Sequence, residues 1–66
     1  MKLTKKEMYL VRKYRHFEKA NRELARSLSP HEFQSMRLVY TAVANMWSLA
    51  ADMITDPADE KEELNA

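Results

Sequence analysis

Cysteine and glycine are both missing from this 66-residue chain, and proline occurs only as Pro30 and Pro57. Without cysteine there are no disulfides and no thiolate metal sites, and the composition fits a reducing compartment. Without glycine, the tight turns of a sheet protein lose the residue that best tolerates positive φ. Asn21, Asn45 and Asn65 are the remaining candidates, and none lies between alternating apolar runs. Helix is the secondary structure that survives these absences. A membrane span is missing too. The longest uncharged stretch, Leu38 to Ala51, is interrupted by Asn45 and Ser48, and a run of that length reads as a buried helix. Met1 and Lys2 lead into Lys5 and Lys6, not into the apolar core of a secretory signal. The expectation is a soluble, cytoplasmic protein.

The residue sets that carry chemistry are equally sparse. No glycine loop is present to cradle a phosphate, and no Ser or Cys stands in a recognised nucleophile turn. His16 has Arg12 and Ala20 at helical spacing, so no second ligand accompanies it. His31 falls where a second helix begins, also without the companions that zinc requires. The acids near the C-terminus lack the spacing of a calcium loop. The expectation is a protein that is not an enzyme, with no catalytic, cofactor or metal-binding residues.

What is present organises the chain into two helices. Thr4-Lys5-Lys6-Glu7 has the form of a capping box, in which the threonine side chain and the glutamate each satisfy the other's backbone N–H. Leu3 and Met8 flank it as a hydrophobic staple. Ser29-Pro30-His31-Glu32 repeats the plan, with proline at the first helical position and Leu28 and Phe33 as the staple. These signals predict a first helix from about residue 5 to 27 and a second from about 30 to 55. A connection that short makes the two antiparallel neighbours. Residues 1–56 thus form a helical hairpin. Asp56 precedes Pro57 and closes the second helix, and residues 57–66, with Asp59, Glu60, Glu62 and Glu63, read as a frayed acidic tail.

The faces of the two helices are unequal. On the first, Leu3, Leu10, Phe17 and Leu24 fall seven apart, joined by Tyr14 and Leu28 into one stripe. The second is apolar around most of its circumference. Met36, Val43 and Ala50 repeat at seven, as do Val39, Met46 and Met53, and Tyr40, Trp47 and Ile54; Leu38, Ala42 and Leu49 widen the arc. Only Arg37, Thr41, Asn45, Ser48, Asp52 and Thr55 form a polar strip. One neighbouring helix covers one side of such a surface, and the rest exceeds the apolar patch a soluble monomer normally exposes. A lone core of this size supplies only ~3–5 kcal/mol. The economical solution is a two-fold homodimer, an all-α four-helix bundle with the second helices at its centre. Its core would be Met36, Val39, Tyr40, Val43, Met46, Trp47, Ala50 and Ile54. An obligate heteromer buries the second helix equally well.

Charge divides along the chain. Up to Ser27, nine basic residues outnumber three acidic ones, and from Leu28 onward seven acids outnumber two bases. Lys5, Tyr9, Arg12, His16 and Lys19 make a basic face on the first helix, the candidate surface for a partner. It suits an acidic protein surface. It also suits RNA or DNA, with Tyr9 offering a ring to a base, and a plain solvated face has the same composition.

Two bacterial families share features with this pattern. The hairpin architecture, the length, the Thr-Lys-x-Glu opening from Thr4 to Glu7 and the acidic tail resemble the Rop family of dimeric helical-hairpin RNA-binding proteins. That resemblance implies RNA lying across paired first helices, with Lys5, Tyr9 and Arg12 as contacts. The chain departs from it in a shorter first helix and in Ser29-Pro30 where an acidic turn stands. Leu3-Thr4-Lys5, Tyr9-Leu10, Arg15 and the Leu28-Ser29-x-x-Glu32 segment resemble the Hha/YmoA family of nucleoid modulators, with several gaps. That resemblance implies a protein partner. The expected function is that of a small bacterial or phage regulator or adaptor which binds a protein, the alternative being RNA or DNA binding by the basic face.

Overall fold

The computed structural model describes residues 3–56 of the chain, so the acidic tail expected for residues 57–66 lies outside the described residues. Two helices pack side by side as an antiparallel hairpin: α1, Lys5–Ser27, and α2, Gln34–Ile54. Among the described residues there is no strand.

The start of α1 is the capping box. Glu7 N–H donates to Thr4 Oγ1 at 3.1 Å, and Thr4 N–H donates to Glu7 Oε1 at 3.0 Å. Two otherwise orphaned donors are thereby satisfied. The backbone hydrogen bond from Thr4, followed by its side-chain hydrogen bond, holds the Glu7 carboxyl below its ordinary range.

The second helix begins differently from the sequence expectation. Ser29 to Phe33 form a single turn closed by Phe33 N–H donating to Ser29 O at 2.9 Å, and α2 starts only at Gln34. Its N-cap is Phe33, at φ −128° and ψ 34°, with no side-chain cap. The Ser29-Pro30-His31-Glu32 segment is thus spent on reversing the chain. Helix from Pro30 onward would leave only Leu28 and Ser29 for the reversal. The far end follows expectation: Thr55 N–H donates to Ala51 O at 3.1 Å, Thr55 itself is extended, and the helix stops ahead of Pro57.

The seam between the helices is narrow. Its fully buried apolar residues are Val11 and Ala25 on α1 and Ala44 and Ala51 on α2; among the described residues no large side chain is completely enclosed. Ala44 and Ala51, both at 0% exposure, lie seven apart on one line of α2. With no side chain beyond Cβ at these points, the backbones approach closely. Each alanine removes little apolar area from water, so the seam contributes only modestly to the hydrophobic stabilisation.

Polar groups fill the remainder of the seam. Arg15 stands one turn after Val11. Its Nη1 donates to Glu18 Oε1 at 3.1 Å and to Ser48 Oγ at 3.2 Å, and its Nη2 lies 2.7 Å from Asp52 Oδ1. Glu18 also accepts from Arg22 Nε and Nη2 at 3.1 and 2.9 Å. At the turn end, Arg37 Nε donates to the carbonyl of Ala25 at 3.0 Å. That carbonyl is in the last turn of α1, where helix acceptors go unpaired and positive charge is favourable. Arg37, Ser48 and Thr55, half of the polar strip of α2, therefore turn towards α1, and Asp52 at the strip's edge reaches across to Arg15.

Candidate interaction surface

With its polar strip turned inward, α2 directs much of its apolar circumference outward. Successive residues advance about 100° around a helix. Val39, Ala42, Met46, Leu49 and Met53 consequently gather about 180° from Ala44 and Ala51, with Leu38 at their edge. The large ones among them are the most exposed apolar side chains of α2, from 59% for Val39 to 81% for Met53. Their spacing alternates three and four residues, the period at which one helix meets another along a continuous seam.

The eight residues expected to form a dimer core divide between two environments. Tyr40, Val43, Trp47, Ala50 and Ile54 are half-buried in the flank of the hairpin. Trp47 packs there on Tyr14 and Phe17, with ring centroids 5.3 and 4.9 Å apart and tilts of 34° and 41°. Met36, Val39 and Met46 are exposed. Leu38, Leu49 and Met53 belong with these last three although the eight omit them. The seven-residue repeat of Val39, Met46 and Met53 carried the signal for Met53.

On α1 the apolar stripe lies beside the seam rather than on it. Leu3, Leu10, Tyr14, Phe17 and Leu28 are half-buried, and Leu24 is exposed. In an antiparallel pair this flank and the Tyr40–Trp47 flank of α2 fall on the same side of the hairpin, which is why Trp47 meets Tyr14 and Phe17. The apolar surface is therefore continuous from Leu10 and Phe17 across Trp47 to the outward seam of α2. Near the turn it dips into an apolar depression of about 230 Å³ lined by Ser35, Met36, Val39 and Tyr40.

The basic face lies on the far side of α1. Lys5, Tyr9, Arg12, His16 and Lys19 are all exposed, Tyr9 by 62%. Lys13 Nζ sits 5.9 Å from the Tyr9 ring centroid and 6.0 Å from that of Phe17, distances at which an ammonium is attracted to a ring. His16 and Lys19 border a shallow hollow with Ala20 and Glu23, so one carboxylate tempers the positive strip. Among the described residues, no three His, Asp or Glu side chains are grouped so as to hold a metal ion, and no helix is long and apolar enough to cross a membrane.

Neither a protein-family model, nor a curated protein, nor a solved structure matches this chain.

Proposed function

We propose that this chain is a small non-enzymatic regulator or adaptor that self-associates through α2 into a four-helix bundle and binds a protein partner through the basic face of α1. The observation that carries the reading is the outward seam of α2. The hairpin encloses four small or medium apolar residues and presents Val39, Met46, Leu49 and Met53 to solvent. Burying a large apolar side chain contributes ~1.5–3 kcal/mol, so this seam outweighs the hairpin's own core as a source of stability. Two hairpins joined there cover this seam and leave the exposed side of α1, rich in Lys and Arg, as the surface for an acidic partner.

Light scattering on the purified full chain tests the self-association: a mass twice the 7.8 kDa of one chain supports it. A well-folded single chain refutes it, and a chain that aggregates when expressed alone identifies an obligate heteromer.

A second reading, RNA or DNA bound by the same face, draws support from Tyr9, whose exposed ring lies among Lys5, Arg12 and Lys13. RNA is also what the resemblance to the Rop family implies. Fluorescence anisotropy against labelled hairpin RNA and duplex DNA separates the two. Binding that weakens steeply with salt and disappears in Lys5→Glu or Arg12→Glu favours nucleic acid. Absence of binding at low salt favours the protein partner.

A further inference from the structure

Resting on that self-association, we infer that the second occupant of the α2 seam is another copy of α2 running antiparallel, with Met53 of each copy seated in the depression between Ser35, Met36, Val39 and Tyr40 of the other. The argument starts from one knob and one hollow on the same helix. Met53 is the most exposed large apolar residue described, at 81%. The depression lies near the other end of α2, where the outward seam at Ser35 and Val39 meets the flank at Met36 and Tyr40, and its lining is almost wholly apolar. Its centre and Met53 are separated by about fifteen residues, hence about 23 Å along the axis. A hollow that far away is beyond the reach of the side chain of its own helix.

A two-fold axis across the helix midway between knob and hollow, near Met46, satisfies both contacts at once, because an isologous interface uses the same patch on each copy. The same operation brings the two copies of Met46 beside each other near the axis and sets Leu49 of one copy against the short side chain of Ala42 of the other, with Val39 between Leu49 and Met53 of its partner. A parallel pair in register places Met53 against Met53 and leaves both hollows unfilled. A parallel pair shifted by 23 Å fills one hollow and opens the interface to endless addition.

Charge selects the same direction. The C-terminal end of α2 carries Asp52 and Asp56, and the sequence continues with four further acids within seven residues. The first turn of α2 contains no acid, so the positive end of its dipole is uncompensated by its own side chains. An antiparallel pair brings the acidic end of one α2 to the N-terminal end of the other. A parallel pair stacks the two acidic ends together.

The absence of native cysteine makes the test direct. Met36→Cys combined with Met53→Cys is oxidised with glutathione disulfide, alongside Met53→Cys alone, and the products are separated by denaturing electrophoresis. Within one chain positions 36 and 53 are about 25 Å apart, far outside disulfide reach, so any disulfide in the doubly substituted chain joins two copies. The expected result is near-complete loss of the monomer band for the double variant and its retention for Met53→Cys alone. Rapid cross-linking of Met53→Cys alone, with light scattering at twice the chain mass, overturns the antiparallel pairing and leaves self-association standing. A single-chain mass for the unsubstituted protein overturns both.

Discussion

Arg15 on α1 and Asp52 on α2, thirty-seven residues apart in sequence, meet with Nη2 2.7 Å from Oδ1. The same guanidinium binds Ser48 on α2 and Glu18 on its own helix, so a single side chain fixes the rotation and the axial position of α2 against α1. Hydrophobic contact tolerates sliding, whereas a guanidinium held at fixed donor angles does not.

Replacing Asp52 with Ala therefore weakens the hairpin by about 0.5–1 kcal/mol, the scale of a partly exposed ion pair. Arg15→Ala costs about 1–2 kcal/mol, since Ser48 and Glu18 lose a donor as well. Urea unfolding at one fixed protein concentration, arranged as a double-mutant cycle, reads the coupling between the two. Strict additivity of the two losses would show that the pair contributes nothing.

Ala51 admits no larger side chain. Ala51→Leu is expected to destabilise by about 1–3 kcal/mol through forced separation of the helices. The substitution adds apolar surface, so a stabilised variant would mean that the close approach at Ala51 is not a feature of the folded chain. Thermal unfolding followed by circular dichroism decides it.

Trp47→Ala removes the ring on which Tyr14 and Phe17 converge. Full burial sets that loss near 3–5 kcal/mol, and the half-buried position here reduces it to about 2–3 kcal/mol. A lone domain of this size has about 3–5 kcal/mol in hand. Little of that margin is left, so the helical signal is expected to melt at a much lower temperature, and the larger mass of the proposed assembly to be lost with it. A soluble, folded, single-chain variant would refute the place given to Trp47.

The cap of α1 responds to acid in a defined direction. Hydrogen bonds from Thr4 lower the Glu7 pKa in the folded chain. Its contribution is therefore complete above the pKa of the unfolded chain and is lost as pH falls through the folded value. Thr4→Ala returns the Glu7 titration towards the ordinary carboxylate range, which NMR of the side-chain carboxyl follows residue by residue. An unchanged Glu7 titration would show that Thr4 is not its source.

The helical hairpin itself was legible in the sequence, and Thr4 with Glu7 marked the start of α1 to the residue. Ser29 and Glu32 carried the same local pattern without the same outcome. A capping box records what a segment is able to do, and the demand for a chain reversal is set by the distance between the two packed helices. The face that α2 turns to α1 was also beyond local reading. Its apolar arc is wider than one neighbour covers, so periodicity offers several equivalent rotations. Arg15, Ser48 and Asp52 choose among them, together with the small Ala44 and Ala51, and none of these five stands out as apolar core in a hydropathy pattern. The basic strip from Lys5 to Lys19 needed only the helix period, and all five of its residues are exposed together.

The hydrogen bond from Arg37 to the Ala25 carbonyl joins the two helices just behind the chain reversal. The residues in front of it, from Ser29 to Glu32, are all exposed. Lengthening a loop between ends that are already held together adds only about 0.6 kcal/mol for each doubling. The bend is thus the part of this molecule most open to substitution by a guest: a peptide tag or a reporter spliced between Pro30 and Glu32 would ride on the end of the hairpin while the helices beneath it keep their registration.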